Sequence, residues 1–83
     1  MLKENKVISL LTDFGTSDSY VAEMKGVILG IYPQATLVDI SHEISRHSVL
    51  LGAFVLSQAA PYFPEGSIHL AVVDPGVGRL ERG

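Results

Sequence analysis

Three short runs of aliphatic and β-branched residues, at positions 7–11 (VISLL), 36–40 (TLVDI) and 68–73 (IHLAVV), are separated by two stretches of helical character. This alternation constrains the fold more than any other feature of the chain. Each run is nearly continuous in apolarity, which suits a strand buried on both faces of a parallel sheet; a strand with one wet face would alternate. The spacing leaves room for a crossover helix between successive runs, and such crossovers are right-handed. The expected fold is therefore α/β, in the order β-α-β-α-β around a parallel sheet.

The first crossover carries Val21, Met24, Val27, Ile28 and Ile31 at helical spacing, one apolar stripe along a helix. Thr16, Ser17 and Asp18 are candidate caps before it, and Pro33 stops it. The second crossover, residues 49–60 (VLLGAFVLSQAA), is apolar nearly all round and is closed by Pro61 and Pro64. Such a helix should be covered on more than one side. No element remains after the third run to cover the sheet edges or this helix. A chain of 83 residues allows one small domain, burying only about 60–65% of its unfolded surface. Residues 1–83 are thus expected to form an incomplete N-terminal α/β domain of a larger two-domain protein, its cover supplied by further chain or by partner subunits.

Composition removes several function classes. With no cysteine, disulfides and thiolate metal sites are excluded. The formal net charge of −3 gives no general field for attracting nucleic acid. The polar N-terminus leads into a short apolar run and lacks the long h-region of a signal peptide, and no stretch reaches the length of a membrane span. A cytoplasmic protein with neither nucleic-acid nor membrane partners is expected.

Candidate site residues come from the strand ends. Ligands of open parallel sheets bind in the crevice beyond the carboxyl ends of the strands. Asp13 follows the first run, Asp39 lies near the end of the second and Asp74 follows the third, so each should bring a carboxylate to one rim. As helix caps or turn formers these residues would need no ligand. As a group they suit ribose hydroxyls, ammonium groups or hard cations and disfavour phosphate. The dinucleotide fingerprint is absent after the first strand, where residues 12–18 read TDFGTSD. The Asp13-Phe14-Gly15 triplet lacks the other parts of a kinase and carries no weight. Pro75-Gly-Val-Gly78 offers a flexible turn and close ligand approach. His42, His47 and His69 fit no compact metal motif, and a structural role is the ordinary expectation for each.

Five segments resemble the S-adenosylmethionine (SAM) hydrolase family, which includes SAM-dependent fluorinating and chlorinating enzymes. They are residues 11–29 (LTDFGTSDSYVAEMKGVIL), 38–42 (VDISH), 52–53 (GA), 61–66 (PYFPEG) and 72–78 (VVDPGVG), in the family's order over almost the whole chain. The resemblance implies an enzyme that cleaves SAM with water at ribose C5′ to give adenosine and L-methionine, SAM being substrate and no cofactor being needed. It also implies a homotrimer with a β-rich C-terminal domain, SAM lying between the N-domain of one subunit and the C-domain of its neighbour. Carried over by position, Asp13 matches the carboxylate that holds the ribose diol. Phe14, Asp18 and Ser19 match the ligand-side loop, and Asp74 matches the aspartate of an Asp-Arg-His group that prepares the attacking water. The histidine of that group corresponds to none of the three here.

Three departures bear on this assignment. The family's arginine usually stands seven positions after the aspartate of D-P-G-V-G; here that position is Glu81, with Arg82 next and Arg79 two before. Arg82 is taken as the candidate partner of Asp74. The loop after His42 reads Ser45-Arg-His-Ser48, so His47 stands where the family packs an aromatic ring near the ligand. The resemblance also implies that Asp74 disfavours the halide reaction, since the halide enzymes of the family carry a different residue there. The chemistry is coherent, because water has a pKa of about 15.7 and needs a positioned base or cationic stabilisation to attack. The leading expectation is the N-terminal region of a SAM hydrolase, inactive or nearly so without the rest. The alternatives are a non-catalytic nucleoside-binding or oligomer-forming module, a SAM-dependent halogenase relative, and a metal-dependent hydrolase using Asp13, Asp39 and Asp74.

Overall fold

The computed structural model describes residues 5–75. Its elements are β1 (Lys6–Thr12), α1 (Tyr20–Ile31), β2 (Ala35–Ser41), α2 (Val49–Ala59), a 3-10 turn (Ala60–Tyr62) and β3 (Ile68–Val72). The β-α-β-α-β order expected from the apolar runs is the order observed. All three strands are parallel, arranged β2-β1-β3 with β1 in the centre.

Only β1 behaves as a strand buried on both faces. Ile8, Ser9, Leu10, Leu11 and Thr12 are all buried, and with Ile44 and His42 they make the core of the described residues. The two outer strands depart from the expectation of full burial. On β3, Ile68, Leu70 and Val72 remain exposed, and Val38 of β2 does too. Each outer strand has a neighbour on one edge only, so its continuous apolar run describes a surface that this segment leaves open.

The helices depart from expectation in the same way. No residue of α1 is buried, and Gly52 is the one buried residue of α2. Instead of being covered on more than one side, α2 rests on the sheet through Gly52 and turns Leu50 and Phe54 outward, Leu50 being 83% exposed. The bare Cα of Gly52 is what permits the contact. A Cβ there would lie 3.3 Å from Val73 Cγ2 and 3.4 Å from Leu11 Cδ2.

Capping also differs from the sequence reading. The residue before α1 is Ser19, not Thr16, Ser17 or Asp18, and it makes no side-chain cap bond. Its hydroxyl instead donates to Glu23 Oε2 at 2.6 Å, a contact within the first turn. Tyr32 N–H bonds the carbonyl of Ile28 as the helix ends, one residue before Pro33. Among the described residues, no helix is long and apolar enough to cross a membrane.

Candidate functional site

β1 and β3 run side by side in the same direction, so their carboxyl ends deliver Asp13 and Asp74 to one place. Two hydrogen bonds stitch these ends together. Asp13 N–H donates to the Val72 carbonyl at 3.3 Å, and Asp74 N–H donates to Asp13 Oδ2 at 3.2 Å. The Asp13 carboxylate is thereby oriented by the neighbouring strand's backbone.

Beyond these strand ends opens a cleft of about 420 Å³ lined by Asp13, Phe14, Asp18, Tyr20, Arg46 and Asp74. Its volume lies within the range of roughly 300–1,000 Å³ usual for small-molecule sites. The walls combine three carboxylates, one guanidinium and two aromatic rings. Phe14 and Tyr20 meet edge to face, with ring centroids 6.3 Å apart, as aromatic quadrupoles favour. A larger concavity of about 650 Å³ lies on α2 against Leu50, Leu51, Ala53 and Phe54, with Ser48 at its end. It lacks charged groups to orient a polar ligand.

The loop that carries Phe14 is held from several sides. Phe14 N–H donates to Thr12 Oγ1 at 3.1 Å, and Gly15 N–H donates to the His42 carbonyl at 2.7 Å. Gly15 has φ +78°, a left-handed conformation that disfavours any residue with a Cβ. Thr16 Oγ1 donates to Glu43 Oε2 at 3.0 Å, tying the loop after β1 to the loop after β2.

Of the residues expected at a ligand site, Asp13, Phe14, Asp18 and Asp74 line this cleft. Ser19 is not among the lining residues, since its hydroxyl turns to Glu23. His47 adopts φ +63°, which is uncommon outside glycine and a mark of local strain. Its Nδ1 lies 3.0 Å from the Asp74 carbonyl; a carbonyl oxygen only accepts, so Nδ1 carries the proton. His47 is thus fastened to the backbone of Asp74. Arg82, with Arg79 and Glu81, lies outside the described residues.

Asp39 does not join the rim. The register sets it opposite Leu10, short of the strand end, whereas Asp13 and Asp74 lie past theirs. Its Oδ2 receives Lys25 Nζ at 2.8 Å and its Oδ1 receives His42 Nε2 at 2.8 Å. Burial pushes the Asp39 carboxyl up, but the hydrogen bonds from Lys25 and His42, with the positive charge of Lys25, outweigh it and hold the carboxyl below its ordinary value. Among the described residues, no group of three His, Cys, Asp or Glu side chains is placed to hold a metal ion.

Two cleft residues, Tyr20 and Arg46, were missed by the sequence reading. Tyr20 begins α1, directly after the loop carrying Phe14 and Asp18, and its position at a helix start was the available signal. Arg46 is a cation in the loop after β2, and only the tertiary structure brings it across to Asp13 and Asp74.

Comparison with known proteins adds a second line of observation. A family profile, the SAM hydroxide adenosyltransferase N-terminal domain, matches residues 8–83. The (R)-S-adenosyl-L-methionine hydrolase of Methanocaldococcus jannaschii is 51% identical over 76 residues, which cover 87% of this chain and 28% of that protein. A fluorinase of Actinoplanes sp. is 35% identical over 78 residues, covering 94% of this chain and 26% of that protein. The chain thus spans little more than a quarter of the length of these relatives. The crystal structure of an uncharacterised conserved protein from Thermotoga maritima superposes with a TM-score of 0.80 at 42% identity, covering 86% of this chain and 27% of that one.

Proposed function

Because the chain belongs to the SAM hydroxide adenosyltransferase family, we propose that its cleft binds the nucleoside half of S-adenosylmethionine in a SAM hydrolase. The complete enzyme adds water at ribose C5′ and releases adenosine and L-methionine. Asp13 carries this reading. A carboxylate can accept about four hydrogen bonds, so the one from Asp74 N–H leaves capacity for both hydroxyls of a ribose diol. Phe14 and Tyr20 supply apolar surface beside it.

In the reaction, the C5′–O bond forms as the C5′–S bond breaks, and sulfur leaves with the bonding pair as a neutral thioether. The attacking water gives up one proton, which passes to solvent, as the C5′–O bond forms. Asp74 is assigned the positioning of that water, with Arg82 as its cationic partner. The sulfonium positive charge is lost as the bond breaks, so the carboxylates of Asp13, Asp18 and Asp74 favour the sulfonium substrate over products that carry no such charge. SAM is the substrate and no cofactor enters the scheme. We further assign the complete protein a C-terminal β-rich domain, a homotrimeric assembly and a cytoplasmic location. The open apolar side of α2 supports the presence of covering surfaces.

A second reading is favoured by Glu81, which stands where the family pattern has arginine. Under it the cleft binds the nucleoside without turnover. The fluorinase likeness raises a halide reaction as a further variant, and Asp74 favours water over halide.

Calorimetric titration with adenosine and SAM, followed by chromatography of a SAM reaction mixture, tests the proposal. Saturable nucleoside binding that disappears in Asp13→Ala while the fold is kept is the expected result. Unchanged affinity in Asp13→Ala would refute the ribose assignment. Binding without release of adenosine and methionine by the complete protein would leave the non-catalytic reading, and release of a 5′-halo-adenosine in the presence of halide would establish the halide one.

A further inference from the structure

Three buried polar side chains would be unusual beside Leu10 and Leu11 unless their hydrogen bonds were met. Ser9 is met by His69 Nδ1 at 2.6 Å, a contact within the sheet that reaches no cleft residue. Thr12 and His42 belong to something longer. Thr12 Oγ1 lies 2.8 Å from His42 Nδ1, His42 Nε2 lies 2.8 Å from Asp39 Oδ1, and Asp39 Oδ2 lies 2.8 Å from Lys25 Nζ. At the far end, Thr12 Oγ1 accepts Phe14 N–H.

We propose that His42 is a positioning residue: held in one tautomer by Asp39, it fixes the Thr12 hydroxyl and through it the Asp13–Phe14 corner of the cleft. Donor and acceptor accounting sets the direction of the relay. Ionised Asp39 can only accept, so His42 Nε2 carries a proton. In the neutral ring Nδ1 is then an acceptor. Thr12 therefore donates to Nδ1, and its oxygen is left to accept Phe14 N–H. Every donor meets an acceptor in a consistent sense, and no buried side-chain nitrogen or oxygen among the described residues is left unpartnered. The backbone of His42 adds a second hold, since its carbonyl accepts Gly15 N–H at 2.7 Å. None of Lys25, Asp39, His42 and Thr12 lines the cleft, so the relay acts through the loop and not on a ligand.

The proposal rests on the cleft's being the nucleoside site, and Asp39→Asn separates the two questions. Lys25 can only donate, so it draws the new amide oxygen and turns the amide NH2 toward His42 Nε2. The ring must then carry its proton on Nδ1, as Asp→Asn exchange beside a histidine alters the tautomer while leaving the geometry intact. Thr12 Oγ1 would then accept from both Nδ1–H and Phe14 N–H, and its own proton, left without its buried acceptor, would pull the hydroxyl away from its present orientation. Removing the constraint as well, in the double variant Lys25→Met with Asp39→Asn, frees the amide to present its oxygen to Nε2 and restores the original tautomer.

Nitrogen-15 spectra of His42 should show Nδ1 as the unprotonated nitrogen in the native protein, the reverse in Asp39→Asn, and the native pattern again in the double variant. Protection of the Phe14 amide from hydrogen exchange should follow the same order. Adenosine affinity should fall about five- to tenfold in Asp39→Asn, the scale of one lost hydrogen bond, and recover in the double variant. A tautomer that does not respond, or a Phe14 amide and an affinity that ignore the tautomer, would overturn the relay. Absence of adenosine binding by the complete native protein would refute the nucleoside reading alone, since the Phe14 amide still tests the relay.

Discussion

At Asp39 one carboxylate answers both a lysine and a buried imidazole, and its titration follows from that. Burial raises the Asp39 carboxyl, the Lys25 and His42 contacts lower it further than burial raises it, and the group sits below its ordinary value of 3.8. A carboxyl depressed in the folded state stabilises the fold fully above its unfolded value and loses that contribution as pH falls through the folded one. Stability of the chain should therefore drop below about pH 4, with a shallower drop in Asp39→Asn. The difference should be small, because Asp39 is 43% exposed and solvent screens the pair. Identical acid denaturation curves for the two proteins would remove Asp39 from the transition. That Asp39 is a carboxylate near a strand end was readable from the residues. Its withdrawal from the rim was not, because one step of strand register decides whether such a side chain stands beyond the sheet or beside a helix.

At the scale of elements, periodicity and punctuation were sufficient. Continuous aliphatic runs marked all three strands, the spacing of Val21, Met24, Ile28 and Ile31 marked α1, and the prolines marked where the helices stop. Capping was less legible, since Thr16, Ser17, Asp18 and Ser19 all offer suitable side chains and only the three-dimensional path of the loop selects among them. The seat of α2 was hidden for a related reason. Gly52 sits in an apolar helix without a visible motive until Val73 and Leu11 are seen closing over it. Gly52→Val is expected to lift α2 from the sheet and destabilise the chain by about 1–3 kcal/mol, the usual range for overpacking. Urea denaturation would measure it, and a midpoint equal to that of the native chain would mean that α2 is not seated there.

Across the described residues, burial is concentrated in the central strand. Leu10 is fully buried, so Leu10→Ala should cost about 2–5 kcal/mol. Leu50 is 83% exposed, so Leu50→Ser should change the stability of this chain by no more than about 0.5 kcal/mol. A large loss at Leu50 in thermal or urea unfolding would show that a second surface covers α2 in solution. The amino-acid order alone determined the α/β class, the parallel sheet, the positions of the helices and the likeness to SAM hydrolases, because each depends on local periodicity or on short ordered motifs. It also placed Asp13 and Asp74 at strand ends, where parallel sheets bind their ligands. Tertiary structure decided which groups meet. The β2-β1-β3 order brings Asp13 beside Asp74, the loop after β2 carries Arg46 into their cleft, and the buried His42 joins Asp39 to Thr12. Those contacts link residues far apart in the chain, and no local pattern encodes the register and loop paths that bring them within hydrogen-bonding distance.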